Sequence, residues 1–132
     1  MSQENVETVR RAITAINARH IDAYLACCTE NVELLTPLAS LGAEYVGPDG
    51  IRRFFTDIEE VGPDFRIEVQ SVQAVGDNNV IAFMRTSSTG RASGIVIGRE
   101  STNVYDFADG KIKRIRIFWD RSEALKAVGR AE

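Results

Sequence analysis

Histidine, cysteine and tryptophan are nearly missing from this chain of 132 residues, which carries one, two and one of them respectively. A single histidine cannot build a cluster with the spacing of a zinc site, so neither a metal nor another cofactor is expected. The two cysteines, Cys27 and Cys28, are neighbours on what reads as a helix and point to different sides of it. That is no disulfide framework, and it fits a reducing compartment. Basic residues are not in excess either: the formal net charge is −3. Without long-range attraction toward phosphates, no nucleic-acid partner is expected. No apolar run approaches membrane-spanning length, and the opening "MSQENVETVRR" lacks the apolar stretch of a signal peptide. The expectation is a cytoplasmic protein with no membrane partner.

What the chain does contain is ordinary for a soluble globular protein: 44% hydrophobic and 27% charged residues. Its length suits a single domain over residues 1–132, large enough to bury a core without metals or disulfides. Val6, Val9, Ile13 and Ile16 recur at spacings of three and four, which predicts an amphipathic helix from about 3 to 18. Past a break at "ARH", the stripe of Ile21, Tyr24, Leu25 and Cys28 predicts a second helix. "NVELLTPL" reads as a short strand halted by Pro37, and "ASLGAEYVGPDG" as a loop. "GPDGIRRFFTDIEEV" then sets Ile51, Phe54, Phe55 and Ile58 on one helical face. After residue 64 the period changes to that of strands, in "FRIEVQSVQAV", "VIAFMRTSS", "GIVIGRESTNVYDF" and "KIKRIRIFW". Asp109-Gly110 marks a tight hairpin, because its turn needs positive φ. "DRSEALKAV" closes the pattern as a short helix capped by Asp120, with Glu123 in the reciprocal capping position. The order predicts an α+β domain in which helices pack on one face of a curved, mainly antiparallel sheet.

This order, together with "YLACCTENVELLTP", "EYVGPDGIRRFF" and "VYDFADGKIKRIRIFWDRSEAL", resembles the SnoaL-like branch of the nuclear-transport-factor-2-like superfamily over nearly the whole chain. The resemblance implies a cystatin-like α+β barrel: a cone of bent sheet against about three N-terminal helices, enclosing an apolar pocket, usually in a homodimer. Ketosteroid isomerases, polyketide cyclases, limonene epoxide hydrolases and dehydratases share that fold, and so do proteins with no catalysis. Function must therefore be argued from the site.

Ketosteroid isomerisation needs an aspartate base, and a tyrosine with a protonated aspartic acid at the oxygen. By resemblance, those three places fall on Thr36, Ala12 and Asn103. Threonine has no useful basicity near neutral pH and alanine has no hydroxyl. Only Asn103 keeps a donor, which makes it the weak catalytic candidate. The Asp-Arg-Asp relay of limonene epoxide hydrolase is not supported: Arg85 is available, but Glu100 and Asp106 fall on the opposite strand face by parity.

Alternation puts Ile81, Phe83, Arg85 and Ser87 on one face, and Arg99, Ser101, Asn103 and Tyr105 on one face of the next strand. Both are aligned toward the pocket, although a register slip of one residue would turn Arg85 to the convex face. Ile115, Ile117 and Trp119 share the inward face of the last strand, while Arg114, Arg116 and Phe118 face outward, where Glu68, Glu100 and Asp106 can pair with the arginines. The expected ligand-binding set is Thr36, Tyr45, Phe83, Arg85, Asn103, Tyr105, Ile117 and Trp119. Tyr24 reads as a core tyrosine, His20 as a surface residue at a helix junction, and Glu33 as pointing away from the pocket. The partners expected are a hydrophobic small molecule and a second copy of the chain on the outer sheet face. The activity is that of a cyclase or isomerase acting next to a carbonyl; the competing reading is a non-catalytic binding or dimerisation module. A third reading brings a carboxylate such as Glu44 to the pocket from a loop.

Overall fold

The computed structural model describes residues 2–36, 44–62, 64–89 and 96–129. Pro37, the first part of the stretch expected as a loop before the third helix, and residues 90–95 lie outside the described residues. In chain order the elements are α1 (Ser2–Ala18), α2 (Ile21–Ala26), β1 (Cys28–Leu35), β2 (Glu44–Val46), α3 (Gly47–Val61), β3 (Arg66–Val75), β4 (Asn79–Thr89), β5 (Val96–Ala108), β6 (Lys111–Phe118) and α4 (Arg121–Ala127). The strands form one curved sheet in the order β2-β1-β6-β5-β4-β3. It is an open sheet rather than a closed barrel, since β2 and β3 are its edges. The strand pairs are antiparallel except β1 with β6, which run parallel. Register shifts leave extra residues in β3, in β1 and in β6, where Lys113 is passed over between Arg114 and Ile112, and such irregularities bend a sheet.

Periodicity placed the helices because their apolar stripes are what pack: Val9, Ala12, Ile13 and Ile16 of α1 are buried, as are Ile51, Phe55 and Ile58 of α3. α1 lies along the edge strand β3 through Asn17, whose amide donates to the Ile67 carbonyl at 2.9 Å and accepts from the Ile67 N–H at 2.8 Å. An edge peptide is thereby paired instead of being left open. Arg19, in left-handed backbone at φ 58, ties α1, α3 and the segment leading into β3 by donating to the Ile16 carbonyl, to Glu59 and to the Phe65 carbonyl. The Asp109-Gly110 turn has φ 54 and 79, the paired positive values of a tight hairpin.

Three local expectations are corrected. The second helix stops at Ala26, so Cys27 is its C-cap and Cys28 opens β1; both thiols are buried and unpaired. The segment around Tyr45 is a short strand paired to β1, with Tyr45 opposite Leu34. The largest correction concerns β4. Its even residues, Val80, Ala82 and Met84, belong to the main core between sheet and helices, whereas Ile81 and Phe83 form a second cluster with Val104 and with Ala124 of α4. α4 therefore packs on the far side of the sheet, and both faces of β4 are buried along "VIAFM".

Candidate functional site

Between the concave face of the sheet and helices α1–α3 lies a cavity of about 410 Å³. Its walls are mainly aliphatic and aromatic: Ile16 of α1, Tyr24 of α2, Leu34 of β1, Phe54 and Ile58 of α3, and Ile67, Met84, Ile115 and Ile117 from the sheet. Tyr24 meets the Phe55 ring edge-on at 5.5 Å, so it serves core and cavity together. Burial pushes its phenol well above the usual tyrosine range.

Two polar groupings interrupt this lining. On the sheet wall, alternation along β5 aims Ser101, Asn103 and Tyr105 at the cavity. Asn103 is 7% exposed and Tyr105 2%. Asn103 Nδ2 donates to the Tyr105 hydroxyl at 3.2 Å, and Asn103 Oδ1 is buried with no hydrogen-bond partner among the described residues. Burial pushes the Tyr105 phenol up to about 12, although the Asn103 hydrogen bond favours its ionised form and works against the shift. Where β2 meets α3, Tyr45 of the strand and Asp57 of the helix both line the cavity, and the Tyr45 hydroxyl donates to Asp57 Oδ2 at 2.6 Å. Tyr45 is 7% exposed and its phenol is pushed up to about 12, first by burial and then by donating to a carboxylate. Its ring is held edge-on against Phe54 at 5.3 Å, with the Arg53 guanidinium 4.7 Å from the ring centre. Gly50 allows this approach, since a Cβ there would meet the Tyr45 backbone at 2.8 Å.

Of the residues expected at a pocket, Thr36, Tyr45, Asn103, Tyr105, Ile117 and Trp119 border this cavity, and Phe83 and Arg85 do not. Phe83 is buried on the opposite face, beneath the Arg121 guanidinium at 4.2 Å. Arg85 is exposed there, facing Glu68 and Glu100 in the strand register, and its guanidinium lies across Gly98. The physical reason is register: Ala82 pairs with Asn103 and Met84 with Ser101, so even residues of β4 share a face with odd residues of β5. With Arg85 outside, neither an anionic ligand nor an Asp-Arg-Asp relay has its cation in the cavity. Trp119 stands 42% exposed at the rim, with the Arg99 guanidinium 3.9 Å over its ring. Ala12 is fully buried in the core, Glu44 is exposed outside the cavity lining, and Glu33 pairs with Arg114 at 3.3 Å on the outer face. On that face Asp106 joins Arg116 at 2.9 Å and Arg114 at 3.6 Å. His20 caps α2, its Nδ1 accepting from the Ala23 N–H at 3.2 Å. Asp120 caps α4, accepting from the Ser122 N–H at 2.9 Å; hydrogen bonds from Ser122 hold its carboxyl below the usual range.

The residue that sequence reasoning missed is Asp57. It lies three residues after Phe54 and one before Ile58, so it shares their helical face at the edge of the apolar stripe. That spacing was the available signal. Among the described residues no group of three or more His, Cys, Asp or Glu side chains is arranged to hold a metal ion.

Residues 9–115 match the family described as SnoaL-like domain. Among solved structures, a putative SnoaL-like polyketide cyclase from Jannaschia sp. CCS1 superposes with a TM-score of 0.77 at 20% identity, covering 99% of this chain and 95% of that one. An uncharacterised cystatin-fold protein from Novosphingobium aromaticivorans gives 0.72 at 24% identity, covering 89% and 98%. TerC, co-crystallised with polyporic acid, gives 0.77 at 18% identity, covering 96% and 98%. These likenesses establish the fold alone. No curated protein matches the sequence.

Proposed function

The chain belongs to the SnoaL-like family, within the nuclear-transport-factor-2-like superfamily, and from that premise we propose that it binds a hydrophobic, ring-containing metabolite bearing a carbonyl group. The observation that carries this reading is the cavity itself: about 410 Å³ of mainly apolar space, with the Asn103–Tyr105 pair as the buried polar group on its sheet wall. That size falls within the usual range for small-molecule sites, where a few polar groups orient an apolar ligand. The amide can be turned either way without changing the conclusion. With Nδ2 toward Tyr105, the tyrosine O–H is free to donate; with the amide reversed, Nδ2 is free. Either way a carbonyl oxygen finds a donor. TerC's co-crystal with polyporic acid supports a small molecule as the natural class of occupant. Thr36, Tyr45, Ile117 and Trp119 complete the proposed contact set around Asn103 and Tyr105.

The test compares acetonaphthone with ethylnaphthalene, two probes of matched shape that differ in the carbonyl. Calorimetry should return tighter binding of the ketone, and Asn103→Ala should weaken it about tenfold, the equivalent of one hydrogen bond. Equal affinity for both probes, or no binding of either, would remove the reading. Within the same proposal the chain is one cytoplasmic domain over residues 1–132, and the buried free thiols of Cys27 and Cys28 fit that compartment. It pairs as a homodimer through the outer sheet face, where Glu68, Arg85 and Glu100 form one cross-strand charged row and Asp106, Arg114 and Arg116 another, with the apolar patch under α4 between them. Sedimentation equilibrium should give twice the 14.6 kDa chain mass. A monomer at every concentration would refute the pairing.

A further inference from the structure

We propose that Asp57, positioned by Tyr45, is a general base that removes a proton from the carbon next to the ligand's carbonyl. The inference rests on the binding reading above. Thr36 offers no proton acceptor, and chemistry beside a carbonyl needs one within hydrogen-bond reach of the substrate. Asp57 is the carboxylate that lines the cavity, and it stands on the helix wall, while Asn103 and Tyr105 stand on the sheet wall. A ketone bound between the walls lies between a proton acceptor and an oxygen-binding pair. The carboxylate is held: Oδ2 accepts from the Tyr45 hydroxyl at 2.6 Å, and Oδ1 has no hydrogen-bond partner among the described residues. Tyr45 is in turn fixed by β1 pairing, by the Phe54 ring and by the close approach of Gly50. A positioned acceptor opposite a buried donor is the arrangement that enolisation requires.

The step balances without any further reagent. The C–H proton passes to Asp57, the C–H electron pair becomes the new carbon–carbon double bond, and the carbonyl π pair moves onto oxygen. Tyr105 and Asn103 donate to that oxygen as its charge grows. The proton then returns from Asp57 to the same carbon, or to a conjugated one, which is an isomerisation. Because Asp57 is solvent-exposed, its proton exchanges with water between the two transfers.

Acetonaphthone in deuterated buffer reads the step directly, as loss of its methyl proton signal in NMR, with calorimetry of the same probe run alongside. The wild type should speed deuterium incorporation over buffer alone. Asp57→Asn should slow the protein-dependent rate by roughly 100-fold or more while keeping the wild-type Kd. Tyr45→Phe, which keeps the ring and removes only the hydroxyl that holds Asp57, should lower the rate less than Asp57→Asn, as befits a positioning residue. Glu60→Gln, on the exposed side of the same helix and outside the cavity lining, should exchange like the wild type. Binding without exchange, or an Asp57→Asn variant that exchanges at the wild-type rate, overturns the base assignment alone. No binding by the wild type overturns the base assignment together with the reading beneath it.

Discussion

Asn103 and Tyr105 are two residues apart on β5, so the pleat sends both into the cavity and lets the amide reach the phenol. All three tyrosines of the chain border that space, and all three phenols are shifted upward, Tyr45 and Tyr105 to about 12 and Tyr24 well above the usual range. Burial is the leading cause each time, since it penalises the phenolate. An unfolded tyrosine ionises near pH 10, so the folded state holds protons that the unfolded state releases. The resulting stability is fully present below about pH 10 and is lost as pH rises from there through about 12. In an alkaline titration, phenolate absorbance should therefore appear above the ordinary tyrosine midpoint and in step with unfolding. Half-ionisation near pH 10 with the fold intact would contradict this. At this scale part was legible: Asn103, Tyr105, Ile117 and Trp119 border the cavity on the side that strand alternation gave them, and Thr36 borders it where the family resemblance put it. Phe83 and Arg85 were not, because "VIAFM" is apolar on both faces and its alternation carries no sign of which face is concave. The pairing of β4 with β5 decides that, and pairing is a property of two strands and their turn.

The third helix shows how one element sets a site. Its first turn carries Gly50 against the β2 backbone, its middle carries Phe54 and Asp57 on the cavity, and Ile51 and Phe55 anchor it in the core. Gly50→Ala would place a methyl group 2.8 Å from the Tyr45 main chain, and neither β2 nor the first turn of α3 can move without disturbing the other. The expected cost is about 1–3 kcal/mol by overpacking, read from denaturant unfolding, with a weakened Tyr45–Asp57 contact. Unchanged stability would mean that the strand yields freely. The helices were legible because capping and periodicity are local, and α3 spans the residues its pattern gave, whereas the end of α2 at Ala26 was not, because Cys28 pairs into the sheet. The parallel β1–β6 pair, the strand at Tyr45 and the placement of α4 on the convex face were not, since each depends on contacts between distant segments. Asp120 is the local case in which the cap itself could be read: an acidic cap before "RSEAL", holding the Ser122 N–H. Asp120→Ala should lower the thermal midpoint and leave ligand affinity unchanged, and a loss of affinity without a loss of stability would reverse that assignment.

At the scale of the whole molecule, one sheet separates two environments. Its concave side, with α1–α3, encloses the cavity; its convex side is divided between the apolar patch under α4 and the charged rows around Arg85 and Asp106. The central claim is that a carbonyl-bearing ring compound occupies the concave side. The most direct measurement is the set of nuclear Overhauser contacts between bound acetonaphthone and the protein's methyl groups. Contacts to Met84, Ile115 and Ile117, which line the cavity, are the predicted result. Contacts confined to Ile81, Val104 and Leu125, which pack on the convex side with α4, would contradict it.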